Sequence, residues 1–435
     1  MSAKYRNIFM LSFGIMITPQ VVSAESLDTV IFKTLASNPQ IKAEINRKSI
    51  RQYELRQAQA GQYPRVDLLA AVGNENSKNR FTEAAGETDY VDLTRQEEAF
   101  VVTYNLFEGF DTTSDIDKSE ARVRSANHQL HNLTEQTALS VANAYLRVMQ
   151  YQELVKLSEE TLGIHLQLYK KVKSRSLSGV GRKSDINQAM GRVARARANL
   201  VADRASYMNA VSRYLRITGD TPTDLVKPET WDDKLPVSLD AAVDAALENN
   251  PVVKAAMADM DAAQSQKKQA RSGYYPHFDL VFDQSRGENL DGIEGVEKDY
   301  SLMLKMRYNL FNGGYDAARS KQALSQLNES RDNYDDVRRK VTESMRLAWS
   351  SYESVKQQMP YLREHVKSIA ATRSAYSDQF KIGRRSLLDL LDSENELYQA
   401  NRSLITAEYD YLVSAYRILA NMGKFVDQFE LTMKK

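Results

Sequence analysis

Two carboxylates, Asp389 and Asp392, stand three residues apart in the segment Ser386-Leu-Leu-Asp-Leu-Leu-Asp392. On a helix that spacing projects both from nearly the same face. Carboxylates gathered at one place repel unless cations or basic neighbours compensate, so their chemistry is cation attraction rather than bond making. Ser386-x-x-Asp389 also has the form of a capping box, and an acid in a first helical turn is favoured by the dipole. Capping accounts for Asp389 but not for Asp392, which lies past that turn. No nucleophile, phosphate loop or acid–base pair recommends an enzyme. The histidines at 128, 131, 165, 277 and 365 show no metal spacing beyond His128 and His131 at i,i+3, a pair that reads as a solvated helix face. Arg192, Arg195 and Arg197 read as a solvated or lumen-lining face. No metal or cofactor is expected. Lys+Arg 58 against Asp+Glu 57 leaves a net charge of +1, without the basic footprint that nucleic acid requires.

These residues belong to a chain built as two copies of one unit. Ser26-Leu-Asp-Thr-Val to Asn-Pro39 returns as Ser238-Leu-Asp-Ala-Ala to Asn-Pro251, and Gly61-Gln-Tyr-Pro64 returns as Gly273-Tyr-Tyr-Pro276. Tyr104-Asn-Leu-Phe-Glu-Gly109 returns as Tyr308-Asn-Leu-Phe-Asn-Gly313, and Gly181-Arg-Lys-Ser184 as Gly383-Arg-Arg-Ser386. The landmarks keep their order, with the offset falling from 212 (Ser26 to Ser238) to 202 (Gly181 to Gly383). The expected organisation is repeat 1 over 25–222, a linker over 223–236, repeat 2 over 237–423 and a C-terminal tail over 424–435.

Punctuation predicts one very long helix in each repeat. No proline lies between Pro64 and Pro222, and Gly163 is the only glycine from Asp111 to Ser176. A helix over about 111–176 is about 100 Å long at ~1.5 Å per residue. Val141, Ala144, Val148, Tyr151, Val155, Ser158 and Leu162 recur in coiled-coil steps, and Leu139, Ala142, Leu146 and Met149 start a second stripe. Two seams suit a helix with a neighbour on each side, as in the wall of a cylinder. The second long helix is expected over about 315–381, bent at Pro360. Each turns at a basic loop (Gly179 to Lys183, Gly383 to Arg385) into a shorter helix, with Ser184 and Ser386 as N-caps.

Before each long helix the period changes to two. Tyr300, Leu302, Leu304, Met306, Tyr308 and Leu310 face one way if extended; Ser301, Met303, Lys305, Arg307 and Asn309 face the other. Phe278, Leu280 and Phe282 alternate with Asp279 and Asp283; Phe100, Val102, Tyr104 and Leu106 alternate likewise, and Val66, Leu68, Ala70 and Val72 more weakly. Transmembrane strands have this pattern. They are expected at about 64–75, 98–107, 276–284 and 299–310, with acidic loops Asn74–Glu98 and Gln284–Asp299 as tips. Four strands cannot close, since the smallest outer-membrane barrels have about eight. Two chains make a barrel filled by its own side chains, three make one with a lumen, and an open pore favours the trimer.

An exported start fits this. Lys4 and Arg6, the apolar run Ile8 to Thr18 and Val22-Ser23-Ala24 form a secretory signal peptide over 1–24. No later segment is apolar for long enough to be a spanning helix. With no cysteine there is no disulfide, thiolate site or lipid-modified Cys.

The doubled Ser-Leu to Asn-Pro start, the doubled Tyr-Asn-Leu-Phe-(Glu/Asn)-Gly and the Ser386 to Asp392 segment together resemble the TolC family of outer-membrane channel-tunnels, over essentially the whole mature chain. The resemblance implies a mainly α fold with a β-barrel portion, a trimer with a 12-stranded barrel on a 12-helix periplasmic tunnel. It implies a location in the bacterial outer membrane, in contact with its lipid. It also implies docking by a periplasmic adaptor (membrane fusion protein) and an inner-membrane ABC or proton-driven pump. Asp389 and Asp392 match the family's acidic entrance ring, and Arg385 and Asp185 its latch. The family's tyrosine in that latch falls on Phe380, which lacks the hydroxyl, so a looser latch is expected. Gly181, Arg182, Lys183, Gly383 and Arg384 are then the adaptor-contact tips. The implied function is type I secretion of a large protein. Drug efflux is the alternative, and a periplasmic coiled-coil scaffold without a barrel is a further one.

Overall fold

The computed structural model describes residues 25–179 and 182–429. The expected signal peptide, Gly181 and residues 430–435 lie outside the described residues.

Both halves begin with a broken helix: α1 (Leu27–Ser37) and α2 (Pro39–Ala60), then, in the second half, α6 (Leu239–Asn249) and α7 (Pro251–Gln269). The repeated Asn-Pro doublet makes the break. Proline disfavours helix in the residue before it yet suits a first helical position. Asn38 and Asn250 accept the N–H groups of Gln40 and Val252, starting the next helix as the last one ends.

Next in each half comes a strand hairpin, β1 (Arg65–Ser77) and β2 (Val91–Glu108), or β3 (His277–Glu288) and β4 (Val296–Arg307). The short helix α3 (Arg80–Ala84) lies between β1 and β2. The four strands form one antiparallel sheet in the order β1-β2-β3-β4, so the β2–β3 pairing joins the two halves. Register puts Val66, Val102, Phe282 and Leu302 in one row, with Leu68, Phe100, Gln284 and Tyr300 in the next. On the other side of the first row lie Tyr104, Leu280 and Leu304, then Phe278 and Met306. Leu68 is 78% exposed and Leu302 67%. The apolar face ends at a row of Ala70, Glu98, Arg286 and Lys298. Opposite it stand Asp67, Asp283, Ser301, Asp279 and Lys305.

The strands differ from expectation at their ends. β2 starts at Val91, well inside the expected acidic loop, because the hairpin ladder continues past the apolar rows through Glu75, which Arg95 reaches at 2.6 Å. β4 stops at Arg307, so Tyr308 and Leu310 do not extend its stripe.

The long helices α4 (Asp111–Leu177) and α8 (Tyr315–Lys381) have 67 residues each. Gly109, at φ +62°, sets the entry to α4; a Cβ there would meet the Ser272 carbonyl oxygen at 2.5 Å. Pro360 lies within α8 and does not end it. The return helices are α5 (Lys183–Thr218) and α9 (Leu387–Asn421). Each packs along its own long helix, and α4 also lies against α2, α7 and α9. Val141, Ala144, Val148 and Ser158 of the first seam are buried, as are Ala142 and Leu146 of the second. Among the described residues no helix is long and apolar enough to cross a membrane.

The main core gathers where the long helices meet α1, α6 and the chain's last described turn. Ile31, Ile41, Tyr145, Leu146, Tyr214, Met345, Tyr409, Tyr416 and Phe425 are its largest fully buried members. Residues of the expected linker and of the expected tail are docked here. In the linker, Trp231 packs at a tilt against Tyr416 and edge-on against Phe429, and the Tyr145 hydroxyl accepts the Val226 N–H at 2.8 Å. In the expected tail, Phe425, Val426 and Phe429 are buried, and the Glu135 carboxylate accepts the N–H groups of Phe425 and Val426. Aromatic burial and two charge-assisted hydrogen bonds hold these residues in the body of the fold.

Candidate functional site at the helix tips

The end of the molecule far from the sheet is made by two helical hairpins. The α4–α5 turn passes through Gly179 (φ +78°), and the α8–α9 turn through Gly383 (φ +75°). Both are left-handed positions that glycine adopts without strain. Arg182, Lys183 and Arg384 are exposed here. A second hydrophobic cluster joins the hairpins: Leu168 and Val172 of α4 against Leu387, Leu390 and Leu391 of α9, with Ile186, Tyr376 and Phe380 packed on it.

The two tips start their return helices differently. Ser386 caps α9: its hydroxyl accepts the Asp389 N–H at 3.1 Å, and the Asp389 carboxylate accepts the Ser386 N–H at 3.4 Å. Ser184 does not cap α5. That helix begins two residues earlier than a Ser184 cap would place it, after Arg182, and Ser184 turns its hydroxyl to Asp185 at 3.4 Å.

The acidic pair is not bare. Asp389 has Arg385 at 3.6 Å, and Asp392 has Arg192 of α5 at 2.5 Å. Arg192, read from sequence as a solvated or lumen-lining residue, therefore has a specific partner 200 residues away, and its side chain is 24% exposed. Behind it, on α4, His165 is buried with its Nδ1 unpartnered. Burial first, and the neighbouring Arg192 second, push its pKa below the ordinary value.

The latch expected between Arg385 and Asp185 is not made within one chain. Arg385 lies over the Tyr376 ring at 4.1 Å and beside Asp389 of its own hairpin. Asp185 has no ion partner among the described residues and accepts only the Ser184 hydroxyl. Phe380 is half-buried in the tip cluster, with Arg175 of α4 over its ring at 5.4 Å. In place of a hydroxyl latch it supplies an apolar and cation–π contact between α8 and α4.

Above the tips, α9 is tied at two further levels that carry no local signature. Arg373 of α8 donates to the buried Glu394 at 2.5 Å. Asp203 of α5 takes Arg402 of α9 at 2.8 Å and accepts the Ser158 hydroxyl of α4, with the Tyr398 hydroxyl 3.0 Å from Ser158. The sequence offered one cue, acids at inward helical positions, but identifying their partners requires the helix register.

Among the described residues the arrangement is a set of charged ties around the ends of two helical hairpins. Three comparisons with known proteins follow the same outline. The model of the outer membrane efflux protein family matches residues 30–220 and 242–424, one block per repeat. The chain is 25% identical to the outer membrane efflux protein BepC of Brucella suis over 96% of this chain and 90% of that protein. It is 23% identical to the outer membrane protein TolC of Vibrio cholerae, over 94% and 92%. It is also 23% identical to the alkaline protease secretion protein AprF of Pseudomonas aeruginosa, over 92% and 84%. In fold it matches the outer membrane channel CmeC of Campylobacter jejuni with a TM-score of 0.81, at 14% identity over 92% of this chain and 86% of that one. The chain belongs to the outer membrane efflux protein family and is an outer-membrane efflux or export channel of the TolC type.

Proposed function

We propose that three copies of this chain join their sheets into one 12-stranded barrel above a 12-helix periplasmic tunnel, a duct for type I secretion of a large protein. The observation that carries this is the open sheet. β1 and β4 each pair on one side only, and the face bearing Leu68, Leu302, Leu304 and Met306 is exposed to its surroundings. An apolar face needs lipid, and backbone groups within lipid need partners, so the edges must close on other copies. Four strands from each of three chains leave a lumen, where fewer chains leave a plug. The test is the mass of detergent-extracted protein together with its β-signal. A trimer is the expected result, and a stable monomer that keeps its β-signal sinks the barrel.

At the tunnel's lower mouth Asp389 and Asp392 are the selectivity gate. Arg385 and Asp185, from adjacent chains, are the latch, with Phe380 as its apolar anchor. The tips with Gly181, Arg182, Lys183, Gly383 and Arg384 meet a periplasmic adaptor coupled to an inner-membrane ABC pump. The doubled Tyr-Asn-Leu-Phe-(Glu/Asn)-Gly motif, the absence of a lipid-bearing Cys and the likeness to AprF support secretion. The likeness to BepC, an efflux protein by name, favours small-molecule efflux with a proton-driven pump as the second reading. Deleting the gene separates them. Loss of one large protein from the culture medium with unchanged drug tolerance marks secretion; the reverse pattern marks efflux.

A further inference from the structure

We propose that Arg192 sets the charge of the entrance: it neutralises Asp392 and ties α5 to α9, so opening the mouth unmasks a carboxylate that the closed mouth conceals. The inference rests on the export-duct reading above and adds to it a residue that determines ion preference.

Asp392 is exposed enough to face a lumen, with its side chain 57% accessible, and Arg192 is its only ion partner among the described residues. Arg192 is the more withdrawn of the two. It stands beside the buried stripe of α5 formed by Ala189, Val193 and Ala196, in front of the buried His165 of α4. A pair with one member partly removed from water is screened less by salt than two freely exposed charges. Asp389 is held differently. Its carboxylate is shared between the Ser386 N–H and a looser Arg385 at 3.6 Å on its own hairpin. Each chain therefore brings two aspartates and two arginines to this level, and the ring is far from the bare cluster of acids that spacing alone suggests.

The two pairs respond to movement in opposite ways. Arg385 and Asp389 lie four residues apart in one hairpin and travel together. Arg192 and Asp392 lie in different repeats, on helices of different hairpins. Of these two pairs, any opening that swings the α8–α9 hairpin away from α4–α5 lengthens only the second. Ion preference and opening are then coupled: the shut mouth is nearly neutral, and the open mouth attracts cations.

The experiment uses the full trimer in planar bilayers, with heat-resistant migration as a check on assembly. Arg192→Gln is expected to raise resting conductance, and to raise the local potassium concentration by about fivefold while lowering that of chloride, the effect of one unscreened unit charge at about 4 Å in water. It should also sharpen block by a trivalent cation. Asp392→Asn should raise resting conductance as well, but shift preference toward chloride by leaving Arg192 bare. Exchanging the pair, Arg192→Asp with Asp392→Arg, should return resting conductance close to wild type, and the double neutral variant should fall short of the sum of the singles. Arg192→Lys keeps the charge and should stay near wild type. The proposal is overturned if the exchanged variant leaks as much as the singles, if effects are additive, or if Lys leaks as much as Gln. Wild-type protein that forms no trimer or channel defeats the duct reading itself. A wild-type channel of low conductance that Arg192→Gln leaves unchanged defeats only the role of Arg192.

Discussion

Arg402 on α9 reaches Asp203 on α5 at 2.8 Å, and Asp203 is 2% exposed. The carboxylate also accepts the Ser158 hydroxyl at 2.5 Å, so one buried acid fastens three helices. Removing one partner of a buried pair leaves the other charge uncompensated. Arg402→Met should therefore destabilise the assembled protein by about 3 kcal/mol, at the low end of such losses because the Arg402 side chain is 35% exposed. Thermal melts by circular dichroism check this. Replacing both residues, Asp203→Leu with Arg402→Met, should recover most of the loss, and a double variant as weak as the single refutes the assignment.

The latch is expected to act between chains. Asp185 lacks an ion partner within its own chain among the described residues, while Arg385 shares its charge with Asp389 and Tyr376. Removing either charge, by Arg385→Gln or Asp185→Asn, should raise resting conductance in bilayers. The exchange of charges should partly restore the low value, since a true contact appears as non-additivity. Cysteines at 185 and 385 should cross-link between chains and not within one; exclusively intrachain bridges count against the latch.

Ser386 and Asp389 form a reciprocal cap at the start of α9. Ser386→Ala should cost about 1 kcal/mol of stability and Ser386→Gly only a few tenths. Asp389→Ala should lower both stability and cation block, because the proposed gate uses the carboxylate that caps the helix. Unfolding curves and single-channel recordings on the same variant decide the matter. Loss of stability with unaltered block leaves Asp389 as a cap alone.

Acid should loosen the tips through His165. Burial and Arg192 hold its pKa below the ordinary 6.5, so the unfolded chain takes up this proton before the folded one does. Its contribution to stability is complete above about pH 6.5 and is lost as pH falls below that value toward the depressed folded pKa. Melting temperature measured from pH 7 to pH 5 should fall for wild type and fall less for His165→Leu. Equal slopes for the two proteins refute the mechanism.

Much of this architecture is legible in the residues, and the illegible parts have a common cause. The long helices show because Gly163 is the sole breaker over 66 residues from Asp111 to Ser176, and the doubled unit because Asn-Pro and Gly-Arg landmarks mark its joints. The strand cores show through their two-residue period. Their rims do not, since beyond Leu68 and Phe100 the ladder continues through polar residues such as Asn74 and Thr94, which alternation cannot mark. The core roles of Phe425 and Trp231, in the expected tail and linker, did not show because an aromatic side chain in a short irregular segment carries no period at all. The same limit hid Arg192 and Asp203. A partner some 200 residues distant is fixed by the relative rotation and stagger of two helices, and no local spacing encodes that.

The two unpaired edges of the sheet, β1 and β4, bear on biogenesis. A newly exported chain carries two open ribbons of amide and carbonyl groups beside a greasy face, and it cannot discharge either by itself. With the proposed closure between copies, insertion waits on their encounter, so its rate should climb steeply with the supply of nascent protein. Encounter also makes the assembly vulnerable from within. One copy with a crippled edge, such as a proline in the middle of β1, occupies a place among sound copies and leaves their rim unsealed. Such a variant should act as a dominant poison when co-expressed with wild type, depleting functional pores out of proportion to its own share.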